Sequence, residues 1–115
     1  MPWEHYSKLI VWQKAMDLTD KIYSLTRSLP KEELFGLSNQ MRRAAVSIPS
    51  NIAEGHGRRS DNEFKRFIGI AKGSAAELET QLLICTRQKY FTAEQIKESL
   101  NLCAEIGRML AGLMR

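Results

Sequence analysis

Cysteine, proline and histidine are all scarce in this chain. Its two cysteines, Cys85 and Cys103, cannot build a disulfide framework, and their separation fits no metal-binding knuckle. Both fall on apolar helical faces, so they are expected to be reduced core residues of a cytoplasmic protein. Three prolines and seven glycines in 115 residues exclude a proline-rich linker or a low-complexity tract. No apolar run approaches the length of a membrane span, and no secretory leader pattern is visible. No segment alternates apolar and polar residues as a half-buried strand does. There is no Ser-His-Asp set, no phosphate-binding glycine loop and no Glu-x-x-His pair for a di-metal site. Glu54 and His56 sit two residues apart across a helix end, and Glu77 and Glu79 do not share a helix face. A non-catalytic protein without cofactor or metal is therefore expected.

The chain is long enough for one domain around one core, residues 1–115. Its apolar content is 43% and its charged content 26%, ordinary for a globular protein. The net charge of +4 is concentrated. Residues 38–73 hold seven basic side chains, Arg42, Arg43, Arg58, Arg59, Lys65, Arg66 and Lys72, against Glu54, Asp61 and Glu63. The rest of the chain balances. A local excess of this kind is what binding a polyanion requires, and it is equally compatible with a solvated face that has no partner.

Periodicity predicts four helices, over about 9–28, 38–54, 61–88 and 93–114. Ser7 is a candidate cap for the first. Its main stripe is Trp12, Ala15, Met16, Thr19, Ile22, Tyr23 and Thr26, with a second seam of Val11, Leu18 and Leu25 repeating every seven residues. In the connection LPKEELFG, Leu34 and Phe35 are expected to tuck under the end of the fold. Ser38 can cap the second helix, which carries Pro49 in mid-course and a consequent kink. Gly55 is placed to end that helix in a left-handed conformation. Ser60 to Glu63 and Thr92 to Gln95 have capping-box spacing. On the third helix, Ile70, Gly73, Glu77 and Ile84 form a flank outside the core stripe; a buried Glu77 is expected to pair with Arg42 or Arg43. Short connections make this an all-α, antiparallel up-down-up-down four-helix bundle.

The motifs LIVWQKA (9–15), LPKEELFG (29–36), QMRRAAVSIPSNIAEG (40–55) and ELETQL (77–82), with Arg58 to Ser60, Glu63 to Phe67 and Ile70 to Gly73 between them, resemble the bacterial family encoded in intervening sequences of 23S ribosomal RNA, also called the S23 ribosomal protein family. The resemblance spans about residues 6–91. Lys8 stands where that family usually has an aspartate, which bears on the first cap. The resemblance implies a four-helix bundle assembling as a ring, typically a homopentamer. It is also similar to the accessory variability determinant protein of diversity-generating retroelements, a pentamer that binds nucleic acid and a reverse transcriptase. The apolar seams then gain a use as the oligomer interface, through Val11, Leu18, Leu25, Ile70 and Ile84.

Two function classes follow. One is a cytoplasmic, oligomeric accessory protein that binds RNA or DNA, with Arg42, Arg43, Arg58, Arg59, Lys65, Arg66 and Lys72 on phosphates. Few aromatics lie among these residues in sequence, so backbone contact with little base reading is expected. The other is a scaffold for a polymerase or a ribosome-associated protein, without direct nucleic-acid contact and without membrane attachment.

Overall fold

Each connection in the chain is anchored by an identifiable local device, and those devices set where the helices begin and end. In the computed structural model, which describes residues 5–115, the chain forms α1 (Ile10–Thr26), α2 (Asn39–His56), α3 (Asp61–Arg87) and α4 (Ala93–Leu113). No strand occurs among the described residues. Helix α1 packs against α2 and α4, and α3 against the same two, giving a four-helix bundle of about 45 × 24 × 20 Å. Two ion pairs bridge α1 to α4, Lys14–Glu105 at 3.2 Å and Lys21–Glu98 at 2.7 Å.

Helix α1 does not start on a serine cap. Ser7 lies in a 3-10 turn, Tyr6–Lys8, and Leu9 precedes the helix with no side-chain cap. The core-facing line of α1 is Val11, Ala15, Leu18, Ile22 and Thr26, all buried. This corrects the assignment of Val11 and Leu18 to a subunit seam, because they are 4% and 0% exposed within the single chain. The two expected stripes are the edges of one broad apolar face, and the core is centred between them. Met16 consequently turns outward, and Leu25 is half-buried against the core.

Helix α2 runs through Pro49, which is buried. A proline there cannot donate to the carbonyl of Ala45. The hydroxyl of Thr19 on α1 lies 3.3 Å from that oxygen and 2.8 Å from Ala15 O, so its one proton serves both. Gly55 does not end the helix. It is a buried helical residue packed against α3, where an added Cβ would stand 3.1 Å from Phe67 Cβ. The helix continues to His56 and closes at Gly57 with φ −83°, so no left-handed residue is used.

Ser60 accepts the Glu63 N–H at 3.2 Å and starts α3 as its spacing predicted. At the far end of α3, Lys89 adopts φ 64°. Its N–H reaches Thr86 O at 3.0 Å and the Tyr90 N–H reaches Cys85 O at 2.9 Å, the two bonds of a Schellman turn. Thr92 and Gln95 form the expected reciprocal capping box before α4.

The α1–α2 connection departs from expectation. The backbone breaks at Gly36, φ −109° and ψ −111°, within Leu34–Ser38 and then leads directly into α2, and Ser38 makes no side-chain cap. The Glu33 carboxylate accepts the Leu37 N–H at 3.2 Å and the Tyr90 hydroxyl at 2.8 Å, tying this connection to the α3–α4 turn. With Glu33 and Leu37 turned inward, Leu34 and Phe35 point out. They are 53% and 88% exposed, so they do not cover the bundle end. Leu37, Tyr90 and Phe91 do that instead.

Candidate nucleic-acid interface

A helix keeps residues close in sequence on one rod, but it also separates its two ends. Arg42 and Arg58 are sixteen residues apart along α2 and its C-terminal turn, roughly 24 Å of axial rise. The seven basic residues therefore do not form one patch. Arg42 and Arg43 lie at the end of the bundle that carries the α1–α2 connection. Arg58, Arg59, Lys65 and Arg66 gather around the α2–α3 turn at the opposite end, and Lys72 sits about three turns along α3.

Arg42 has an internal role. Its Nε donates to Thr26 Oγ1 at 2.8 Å and its guanidinium lies over the Tyr23 ring at 4.8 Å, clamping α2 to α1. The expected ion pair between Glu77 and Arg42 or Arg43 does not form. Glu77 is exposed on the outer side of α3, where it accepts Gln81 Nε2 at 3.2 Å. Arg42 faces α1 and so points away from it. Arg43 is exposed and makes no ion pair among the described residues.

At the α2–α3 end, Arg58 pairs with Glu54 at 2.6 Å one helical turn earlier. Both partners are well exposed, so the pair contributes little to stability and leaves the guanidinium accessible. Arg58 also lies over the Phe67 ring at 4.7 Å, and Arg66 lies over the same ring at 5.1 Å. Arg59 and Arg66 are exposed and Lys65 is half-buried; none has an ion-pair partner among the described residues. Asp61 and Glu63, in the first turn of α3, stand where the positive end of the helix dipole favours them.

The N-terminal segment brings a set of aromatic rings to this end. Tyr6 is the hub. Its ring centroid is 4.0 Å from His5, 5.5 Å from Trp12 and 6.1 Å from His56. His56 closes α2 two residues before Arg58, so the rings border the basic turn. Some fifty residues separate Tyr6 from His56, and no spacing within either segment signals the contact.

Residues 7–112 match the family described as 23S rRNA-intervening sequence protein. The chain belongs to this family. Among solved structures it is similar to a protein of unknown function from the S23 ribosomal protein family of Bacteroides thetaiotaomicron VPI-5482, seen in a crystal structure at 1.70 Å. The two share 29% identity over 92% of this chain and 99% of that one, with a TM-score of 0.86. A search of curated proteins finds no match.

In this member of the 23S rRNA-intervening sequence protein family, both thiols are free and buried. Burial pushes the Cys103 thiol up to about 12, with a smaller contribution from Glu79. Burial and then Glu33 push Cys85 up to about 11. Neither thiol is a nucleophile at neutral pH. No group of three or more His, Cys, Asp or Glu that could hold a metal occurs among the described residues. No helix among them is long and apolar enough to cross a membrane. On the outer side of α3, Ile70 and Ile84 are 42% and 39% exposed, seven residues either side of Glu77. They are the part of the expected interface set that the single chain leaves uncovered.

Proposed function

We propose that this protein is a non-catalytic, oligomeric accessory factor that binds the phosphate backbone of RNA or DNA through the α2–α3 end of the bundle. The observation that carries this reading is the group of Arg59, Lys65 and Arg66, cations without an ion-pair partner among the described residues, gathered with Arg58 around one turn. Arg43 and Lys72 supply further contacts only when subunits place several bundles side by side. Arg42 supports the fold and not the ligand. Ile70 and Ile84 on α3, with Leu25 as a partial contributor, form the contact between subunits, and a ring then multiplies a weak patch on each chain. The family's description, which refers to 23S ribosomal RNA, agrees with a nucleic-acid setting.

A second reading has its own observation. Phe35, 88% exposed beside Leu34 on a turn pinned by Glu33, is the sort of apolar tip a protein partner covers. In that reading the protein is a scaffold, and its nucleic-acid contact is indirect.

Binding to a structured RNA and to a duplex DNA, titrated with salt alongside a measurement of mass in solution, separates the two. A phosphate-binding assembly loses affinity steeply with salt, and Arg59→Gln with Lys65→Gln lowers the log–log slope by about two. Absence of binding at low salt eliminates this reading and leaves the scaffold.

A further inference from the structure

The aromatic rings at the basic end differ from the aromatics that build the core. Phe64 and Phe91 are buried. Tyr6, Trp12, His56 and Phe67 are only half-buried, and His5 is exposed. The interior is already closed beneath them by Val11, Ala15, Ile52, Phe64 and Ile68, each no more than 5% exposed. Two kinds of flat surface therefore stand next to Arg59 and Lys65, which have no ion-pair partner among the described residues. One is the Tyr6-centred ring cluster. The other is the pair of guanidiniums, Arg58 and Arg66, both laid over the Phe67 ring. Arg66 has no ion-pair partner among the described residues and keeps its N–H groups for a ligand, whereas Arg58 shares Nη2 with Glu54 and offers the rest of its guanidinium.

Phosphate contact alone needs none of this. A closed duplex shows a protein its backbone and groove edges and hides its base faces in the stack. An unpaired strand shows phosphates and base faces together, and proteins that hold such strands combine cationic tracks with aromatic or arginine planes. We infer that the ligand of the α2–α3 end is a single-stranded nucleic acid, whose bases stack on Tyr6 and on the Arg58 and Arg66 guanidiniums while Arg59 and Lys65 hold its phosphates. This rests on the nucleic-acid reading above and goes further by naming the strand state of the ligand. The stacking is sequence-tolerant, because every base presents a π face.

The test compares dT and rU strands of about 12 nucleotides, within the usual footprint of such sites, with a duplex carrying the same number of phosphates. Tyr6→Ala removes the ring hub. Arg66→Lys keeps the charge and removes the flat guanidinium. The unmodified protein is expected to bind the single strands at least tenfold more tightly than the duplex. Each variant is expected to weaken single-strand binding about five- to hundredfold with the salt slope unchanged, and Tyr6→Ala is expected to leave duplex affinity unchanged as well. Tighter binding of rU than dT, or the reverse, identifies the natural strand within the same proposal. Equal affinity for strand and duplex, with both variants silent and Arg59→Gln still weakening both ligands, overturns the inference and leaves the phosphate-binding reading intact. Failure to bind any of the three ligands at low salt removes both.

Discussion

Lys89 holds a backbone conformation that its side chain penalises, and Lys89→Gly should stabilise the protein. At φ 64° the residue sits in the left-handed region, where a Cβ costs roughly 1–2 kcal/mol relative to glycine. The conformation is imposed by the two hydrogen bonds that close α3, from Lys89 N–H to Thr86 O and from Tyr90 N–H to Cys85 O. Glycine keeps both bonds. It also makes the unfolded chain more flexible, which returns about 0.5–1 kcal/mol. The Lys89 side chain is exposed and forms no ion pair among the described residues, so its loss removes no contact there. The net gain is about 0.5–1 kcal/mol, or roughly 2–4 °C in Tm for a chain of this length. Urea unfolding of the two proteins at several concentrations measures it, because any subunit association must be held constant between them. Lys89→Ala is the control: it keeps the Cβ and should gain nothing. If alanine and glycine stabilise equally, or if glycine destabilises, the left-handed penalty is not what limits this turn.

Three further outcomes are expected. Gln81 is 5% exposed, and among the described residues its Oε1 has no hydrogen-bond partner while its Nε2 reaches the exposed Glu77; Gln81→Met, close in volume, should raise stability by about 1 kcal/mol in the same unfolding assay. Gly73→Ala meets nothing within 4 Å and should gain up to about 1 kcal/mol from helix propensity, whereas Gly55→Ala must push against Phe67 Cβ at 3.1 Å and Phe64 O at 3.4 Å and should lose that advantage or reverse it; equal effects would show that α2 and α3 can separate freely. Cys85 and Cys103 are raised to about 11 and 12 by burial, so the folded state holds their protons more tightly than the unfolded state does. That contribution is complete below about pH 9 and is lost as pH rises towards 11–12, at up to about 1.4 kcal/mol per thiol per pH unit, and replacing both cysteines by alanine should flatten the alkaline limb of a stability profile.

Local signals carried the number of helices and two of their starts. Ser60 with Glu63 and Thr92 with Gln95 satisfy donors within their own turns, so sequence spacing suffices to find them. Signals that depend on how helices lie against one another were not readable. The α1 stripe was split in two because its apolar face is broad, and only the packing shows that Val11 and Leu18 share one buried line with Ala15 and Ile22. Gly55 has the usual chemistry of a helix end, but the constraint on it comes from Phe64 and Phe67 across the interface. Leu34 and Phe35 read as cover for the core until Glu33 and Leu37 take the inward positions. The basic residues of one stretch separate because α2 is long enough to carry them to opposite ends, while Tyr6 reaches His56 through a tertiary contact.

Pro49 has a consequence for topology. A bundle of four amphipathic helices with short connections can in principle be wound with either handedness, and with its rods slid by a turn, while burying much the same apolar area. The proline leaves one carbonyl, on Ala45, that α2 itself cannot satisfy. The nearby donor comes from Thr19 on a different rod. A slide of α1 by one turn, or an exchange of neighbours, would take that donor away from a part-buried oxygen, at a penalty of about 1 kcal/mol. The apparent defect in α2 therefore acts as a key in a lock, admitting α1 beside it at one height.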